Sequence, residues 1–196
     1  MNALFLDADG TIFDYHDGLK DLRQGKVRFV GDPATRIRED VLRLLRFYRF
    51  HAWYGRGAAD PAARAACRQS TPLLATLSGE RVHAELLKLL KAPDPAKTLA
   101  LMEEDGVLGK ILPATRPLEV LARLVKLEAS AKRAPDPLLR LAVVIAGDVE
   151  RIAAKLKLSN AERERLESAM VPLDLEGLRR PRHVRNLRRR RRRRTA

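Results

Sequence analysis

The sequence predicts a mainly α-helical protein that begins with a short β-hairpin. Two observations favour helices. Leu, Ala and Arg dominate the 196 residues, of which only 5% are aromatic, and Asp-Pro pairs that can open helices recur after residue 30. A third observation locates the β structure, because apolar β-type runs flank an Asp-Gly turn signal within residues 1–30.

The individual elements follow from local signals. Residues 3–6 and 11–13 predict the two hairpin strands, and residues 26–30 predict a further short strand. An N-cap at Asp32 and Pro33 at the first helical position predict one helix that runs without interruption to about Phe50. Caps and apolar periodicity predict later helices at 61–70, 79–91, 95–106, 116–132, 136–147, 149–158 and 160–170, with a connector at 108–113. Since no fixed period links them, they predict an irregular helical body.

The helix predicted over residues 33–50 carries a high density of charge. At 3.6 residues per turn, one row is apolar and a second row is mostly charged; the rows are Ile37, Val41, Leu44, Tyr48 and Arg36, Asp40, Arg43, Phe47. An Asp and an Arg three residues apart are neighbours on a helix, and most such pairs are solvated salt bridges. Here Arg38, Glu39, Arg46 and Arg49 crowd the same helix. So many arginines around one Asp indicate an anionic ligand.

Composition excludes several classes of protein. Cys67 is the only cysteine, so neither a disulfide framework nor a cysteine zinc site is expected, and Cys67 itself is interpreted as a small buried hydrophobe. The four histidines are scattered without the spacing of metal ligands. No apolar run reaches the length of a transmembrane helix, and no signal pattern opens the chain. We therefore expect a cytoplasmic protein without a membrane partner.

The positive charge is concentrated at the C-terminus. Residues 179–194 contain eleven arginines and no acidic residue, so subtracting them from the net charge of +14 leaves +3 for the rest of the chain. Such a run cannot form a core, and we expect residues 176–196 to be disordered. Two interpretations stay open: an arm that binds RNA phosphates, and an abnormal terminus without function.

The charged helix resembles a family motif. In class II tRNA nucleotidyltransferases, which are the bacterial CCA-adding enzymes and their poly(A) polymerase relatives, the neck helix carries Glu, Asp, two residues and Arg, with a second Arg three residues on. Glu39, Asp40, Arg43 and Arg46 match this pattern. Residues 2–4, 27–33 and 77–81 are similar to three further motifs of the family, in the family's order.

The resemblance implies a domain organisation and an activity. Residues 1–30 would be the remnant of a nucleotidyltransferase head, 31–90 a helical neck that selects nucleotides and binds RNA, and 91–175 a helical body that binds tRNA. The family adds C, C and A to tRNA 3′ ends from CTP and ATP. Its poly(A)-adding members share these motifs, so the sequence leaves CCA addition and poly(A) addition both open.

The resemblance also assigns roles to single residues. Asp40 and Arg43 would read the Watson–Crick edge of C or A, while Glu39 orients them. Arg46 would contact the nucleotide or its phosphates, and Asn2 the sugar or phosphate side. Arg81 would brace the cleft, and the implied RNA-binding residues are Arg36 and Arg49.

Nucleotidyl transfer in this family needs Mg²⁺ held by carboxylates of the head, which lie upstream of the segment that matches Asn2. We therefore expect no metal ligands and no catalytic residues in this chain, and no catalysis by the chain alone. Whether a separate chain supplies the head stays open.

Two other functions deserve comparison. Residues 4–14 resemble the first motif of haloacid-dehalogenase-like phosphatases, in which Asp7 would be the nucleophile and Asp9 the general acid/base, with magnesium at the phosphate. That fold needs further parallel strands, and no suitable apolar runs follow residue 30. The second alternative is a non-catalytic helical RNA-binding module.

Overall fold

The computed structural model describes residues 4–170, so Asn2 and the arginine-rich tail lie outside the described residues. Within them, a two-stranded antiparallel sheet precedes eleven α-helices, which confirms the mainly α-helical class. The elements are β1 (Leu4–Leu6), β2 (Ile12–Asp14), α1 (Gly18–Gln24), α2 (Pro33–Glu39), α3 (Leu42–Tyr54), α4 (Pro61–Gln69), a 3₁₀ helix (Thr71–Thr76), α5 (Gly79–Leu90), α6 (Pro95–Glu104), α7 (Leu108–Ile111), α8 (Glu119–Ser130), α9 (Pro137–Val144), α10 (Val149–Leu156) and α11 (Asn160–Met170).

The hairpin forms where it was predicted, with Phe5 opposite Phe13 in its register. Its turn is closed by the Asp7 amide, which donates to the Thr11 carbonyl at 2.9 Å, and by the Asp9 carboxylate, which accepts from the Thr11 amide at 2.8 Å. Both aspartates are therefore turn residues. Since the sheet stops at two antiparallel strands in the described part of the chain, the parallel sheet that the phosphatase alternative requires does not form.

The segment after the hairpin differs from the prediction. Helix α1 was not predicted; it is fixed by the Asp14 carboxylate, which accepts from the Gly18 and Leu19 amides at 2.6 and 2.9 Å. The strand predicted over 26–30 is wrong, because this segment is irregular. Its apolar character comes from Phe29, which is 5% exposed and stacks on Phe47 with ring centroids 5.7 Å apart.

The uninterrupted helix over residues 33–50 is also wrong. Helix α2 ends at Glu39, Asp40 is extended (φ −152°, ψ 105°), and α3 begins at Leu42. The break is stable because the Asp40 carboxylate accepts from the Leu42 amide and from Arg81 on α5. The predicted charged row therefore does not share one helix, and Phe47 from that row is fully buried in the core.

The later helices agree with the prediction to within three residues at each end. The capping box at Ser159 is present, with reciprocal hydrogen bonds between Ser159 and Glu162. The predicted connector 108–113 contains the short helix α7. Helix α8 begins three residues late because Thr115 forms a β-bridge with Ile145 and the Arg116 amide donates to the Val144 carbonyl.

The core lies where α3 and α5 pack against each other, and α5 also packs against α9 and α10. Cys67 is fully buried there, as predicted, and burial raises the pKa of its thiol to about 12. Arg140 is buried too; it pairs with Glu128 and donates to the carbonyls of Leu90, the last residue of α5, and of Ala92. Among residues 4–170, no helix is long and apolar enough to cross a membrane.

Candidate functional site

A cavity of about 710 Å³ opens beside the break between α2 and α3. Cationic side chains dominate its wall, and a single carboxylate joins them. The lining residues are His16, Phe29, Val30, Gly31, Arg36, Arg43, Arg46, Arg49, Phe50, Glu85 and Lys88. Such a concentration of guanidinium groups around a cavity of nucleotide size suits a phosphorylated ligand.

Asp40 lies beside this cavity and is held from two directions. Its Oδ1 atom accepts from Arg81 Nη2 at 2.9 Å and from the Leu42 amide at 3.2 Å. Among residues 4–170, the contact of its Oδ2 atom is a loose ion pair, 3.8 Å from Arg46 Nη1. Burial opposes ionisation of this carboxyl, but the Leu42 and Arg81 hydrogen bonds outweigh it and hold its pKa below the ordinary value. Oδ2 is thus an ionised acceptor with room for a ligand donor.

Arg43 is oriented by Glu39. The Glu39 Oε2 atom accepts from Nη1 of Arg36 and from Nη1 of Arg43, each at 2.5 Å. Arg43 Nη1 also donates to the Arg36 carbonyl at 3.1 Å. Within residues 4–170, these contacts use one nitrogen of the Arg43 guanidinium and leave Nε and Nη2 without a hydrogen-bond partner. The arginine therefore faces the cavity with donors still available.

Glu85 on α5 is a site residue that sequence reasoning missed. Its spacing from Arg81 is that of an ordinary i,i+4 helix pair, but in the structure Arg81 pairs with Asp40 and Glu85 pairs with arginines of α3. Its carboxylate is 5% exposed and lies 2.7 Å from Arg49 Nε, without hydrogen-bond alignment, and 3.8 Å from Arg46 Nε. Lys88 Nζ is 3.7 Å away. The signal in the sequence that could have identified Glu85 is the presence of an acidic residue on the apolar stripe of α5.

The structure brings most of the predicted site residues together. Four of them line the cavity wall: Arg36, Arg43, Arg46 and Arg49. Glu39, Asp40 and Arg81 lie beside it and connect to the wall through ion pairs. Asn2 lies outside the described residues. The roles assigned to all these residues stay predictions.

A metal ion finds no ready site in the described part of the chain. Residues 4–170 contain no group of three or more His, Cys, Asp and Glu side chains that could hold one. One oxygen of Asp7 and one of Asp9 already accept amides of their own turn. The carboxylates present therefore do not fit a catalytic magnesium.

The chain is similar to known proteins that act on tRNA. Residues 59–118 match the family described as "Probable RNA and SrmB- binding site of polymerase A". The mitochondrial CCA tRNA nucleotidyltransferase 1 of Danio rerio is 37% identical over 171 residues, which cover 83% of this chain and 38% of the relative.

Solved structures agree. The Bacillus stearothermophilus CCA-adding enzyme in complex with CTP is 31% identical, with a TM-score of 0.54, and the match covers 87% of this chain and 40% of that one. The Thermotoga maritima CCA-adding enzyme complexed with tRNA shares the fold, with a TM-score of 0.65 at 20% identity over 85% of this chain and 44% of that one.

The chain thus spans 38% of the length of the Danio rerio relative, in a match that covers most of its own sequence. The charged motif at the α2–α3 break, the sequence matches and the shared helical fold lead to one conclusion. This chain belongs to the family of class II CCA-adding enzymes and poly(A) polymerases, and it corresponds to part of the length of the relatives it matches.

Proposed function

We propose that this chain carries the nucleotide-selecting and RNA-binding part of a tRNA nucleotidyltransferase that adds C, C and A to tRNA 3′ ends from CTP and ATP. One observation carries the proposal. Asp40 in the helix break presents its Oδ2 oxygen, and Arg43 in the first turn of α3 presents its Nε and Nη2 nitrogens, beside an arginine-walled cavity; within residues 4–170 these atoms have no hydrogen-bond partner. The relatives named for CCA addition, one of them solved with CTP, support it.

The chemistry of base selection follows from the two side chains. A carboxylate accepts from the exocyclic amine of C or A, and a guanidinium donates to a ring nitrogen or a carbonyl oxygen. G and U present a different pattern of donors and acceptors. Where the bound base excludes water, the mismatch leaves polar groups unpaired, which costs about 1–3 kcal/mol. Arg81 contributes by fixing Oδ1, so that Oδ2 of Asp40 keeps one direction.

The remaining site residues are assigned to phosphates and RNA. Arg46 contacts the nucleotide or its phosphates, Arg36 and Arg49 contact RNA, and Asn2 contacts the sugar or phosphate side. Mg²⁺, which would stabilise charge on the transferring phosphate, is bound by carboxylates outside residues 4–170, in a head that a separate chain could supply. The chain alone is therefore inactive in transfer. We propose that the protein acts in the cytoplasm.

The test is a binding titration of the full chain with CTP, ATP, UTP and GTP. We expect CTP and ATP to bind more tightly than UTP and GTP. Asp40→Asn replaces an acceptor-only group by an amide, so it should lower the preference for CTP over UTP about tenfold. Arg38→Ala is the matched control, because Arg38 on α2 donates to Thr35 rather than lining the cavity. Equal affinity of the unmodified chain for all four nucleotides would contradict the proposal.

A non-catalytic helical RNA-binding module is the second candidate, favoured by the match of residues 59–118 to a family described by its RNA-binding site. Labelled CTP and ATP, offered with magnesium and tRNA lacking its CCA end, distinguish the two. Incorporation that Asp40→Ala abolishes would support selection within a complete enzyme. The chain is assayed alone and together with a supplied head domain. If neither sample incorporates nucleotides but the chain still binds tRNA, the RNA-binding module is favoured.

A further inference from the structure

Helix α3 carries a second face that neither the core nor the proposed base-reading pair uses. The residues of this face follow helical spacing, at i, i+3, i+4, i+7 and i+8; they are Arg46, Arg49, Phe50, Trp53 and Tyr54. The opposite face of the helix is buried in the core through Leu44, Leu45, Phe47 and Tyr48. An apolar face of this size would ordinarily pack against protein. Here Trp53 and Tyr54 are 42% and 56% exposed.

The aromatic rings of this face form one connected surface. Phe50 and Tyr54 stack with centroids 6.0 Å apart, and Trp53 and Tyr54 lie 6.4 Å apart. The indole N–H of Trp53 donates to the Lys88 carbonyl at 2.8 Å, which fixes the ring against α5. The rings are therefore positioned before any ligand arrives, so little conformational entropy is lost when a ligand stacks on them.

Cations lie beside these rings. The Arg49 guanidinium lies 4.3 Å from the centroid of the Phe50 ring, and Lys88 and Arg46 flank the face. One carboxylate partner of these cations, Glu85, is buried beneath them rather than presented beside the rings. The other is Asp40, which pairs with Arg46 and with Arg81. Four positive side chains thus share two carboxylates, so the face keeps a net positive charge. Charge complementarity therefore favours a polyanion over a protein surface.

The face is also continuous with the cavity, because Arg46, Arg49 and Phe50 belong to both, and Lys88 on α5 lines the cavity beside them. From Arg46 to Tyr54 the helix rises roughly 12 Å, at about 1.5 Å per residue. Aromatic rings together with cations form the kind of surface that binds single-stranded nucleic acid, since every exposed base can stack and every phosphate needs a counter-charge. Bases inside a duplex are not accessible for such stacking.

We propose that the α3 face formed by Arg46, Arg49, Phe50, Trp53 and Tyr54, together with Lys88, binds single-stranded RNA and leads its 3′ end to the cavity. The identification of that RNA as an unpaired tRNA 3′ end rests on the proposed function. The stacking surface itself rests on the geometry of α3 and α5 alone.

The experiment uses Trp53, the only tryptophan of the chain, as a local fluorescent probe. The full chain is titrated with a six-nucleotide cytidine RNA, and with a blunt RNA duplex that is long enough to be stable, the two being compared at equal concentrations of phosphate. We expect the single strand to quench Trp53 fluorescence and the duplex to leave it unchanged. The eleven C-terminal arginines would bind both RNAs. Because the segment 179–194 that holds them has no tryptophan, the quenching reports contact at α3.

Variants separate stacking from charge. Tyr54→Ala should weaken single-strand binding roughly tenfold with an unchanged salt dependence, whereas Tyr54→Phe should retain affinity because stacking needs only the ring. Lys88→Ala should reduce the slope of log affinity against log salt by about 0.7, the value for one phosphate contact on a single strand. Tyr15→Ala, at an aromatic residue of the hairpin that is 70% exposed, is the matched control and should change neither quantity.

Three results would overturn the inference: RNA binding seen by anisotropy of a labelled strand without Trp53 quenching, equal quenching by the duplex, or a concentration-dependent blue shift of Trp53 without RNA. The last would mean that a second protein molecule covers the face. The proposed function is judged separately, because CTP selectivity is read through Asp40→Asn. Its loss with quenching intact would refute base selection and leave the stacking surface standing.

Discussion

Asp105 shows how much stability one buried side chain can carry. Its carboxylate is inaccessible to solvent and accepts from Tyr48 at 2.7 Å, from Arg64 through two hydrogen bonds at 2.8 Å, and from Arg68 at 3.0 Å. These contacts tie α3 and α4 to the end of α6. A buried charge with all its partners is neutral to modestly stabilising, but removing one member leaves the others unpaired.

We therefore expect Asp105→Asn to lower the free energy of unfolding by about 3 kcal/mol, because the amide nitrogen of Asn cannot accept the hydrogen bonds that the buried carboxylate accepts from Tyr48 and Arg64. Urea unfolding followed by circular dichroism measures the change. The control is Glu104→Gln, which touches the same Arg64 from a side chain that is 63% exposed, and should cost less than about 0.5 kcal/mol. Equal effects of the two variants would refute the role given to burial.

The same residue gives a pH dependence with a definite sign. Burial opposes ionisation of Asp105, but hydrogen bonds from Arg64 and Tyr48 outweigh it, so its pKa in the folded protein is below the ordinary value of 3.8. As pH falls, the unfolded chain therefore binds a proton at Asp105 before the folded protein does. The contribution of the ionised Asp105 carboxylate to the free energy of unfolding is complete above pH 3.8, and it is lost as pH falls through the pKa of the folded protein. The stability difference between the unmodified chain and Asp105→Asn should therefore shrink below pH 3.8; an unchanged difference down to pH about 2 would contradict this.

At the scale of elements, helix starts are governed by the Asp-Pro pairs. Asp32, Asp60 and Asp136 each accept a hydrogen bond from an amide of the first helical turn, whereas Asp94 precedes α6 without a side-chain cap. All four have Pro at the next position. The dipeptide therefore marks the start of a helix reliably, but it does not guarantee the stabilising hydrogen bond.

This difference is testable with a matched pair of variants. Asp32→Ala removes an acceptor 2.8 Å from the Thr35 amide and should lower the free energy of unfolding by about 1 kcal/mol. Asp94→Ala removes only an exposed ion pair to Lys97 and should cost less than about 0.5 kcal/mol. Thermal or urea unfolding of both variants decides the point; the idea fails if Asp94→Ala is the more destabilising.

At the scale of the whole molecule, the hairpin is an exposed apolar region. Phe5, Leu6, Ile12 and Tyr15 are all at least half exposed, and Leu6 reaches 73%. A two-stranded sheet with open edges is a template for association with another chain. The head, neck and body division at residues 30 and 90 stays a prediction, and the exposed side chains of the hairpin make it a candidate surface for self-association.

Leu6→Lys should therefore reduce self-association of the chain, while the free energy of unfolding changes by less than about 0.5 kcal/mol. Sedimentation velocity over a range of concentrations measures the first quantity and urea unfolding the second. Leu127→Lys is the control, since Leu127 on α8 is 64% exposed but lies outside the hairpin. If Leu127→Lys reduces association as much as Leu6→Lys, the hairpin is not the associating surface.

Sequence alone determined the helical class, the hairpin and most helix boundaries. The reason is that caps, Asp-Pro pairs and apolar periodicity act within one or two turns. The spacing of the charged residues at 39–46 likewise predicted a cationic site. Helix α1 was not predicted, because the carboxylate that accepts from its first amide belongs to Asp14, four residues before Gly18.

The tertiary structure alone decided the break at Asp40, the burial of Phe47 and the place of Glu85. Each depends on a partner far along the chain: Arg81 is 41 residues from Asp40, and Glu85 meets arginines of α3. The local sequence pattern predicts that Asp40 is helical. The Arg81 guanidinium, which stabilises its extended conformation, comes close to Asp40 only when α5 packs on α3. The site is therefore encoded locally in its residue types but assembled by long-range packing.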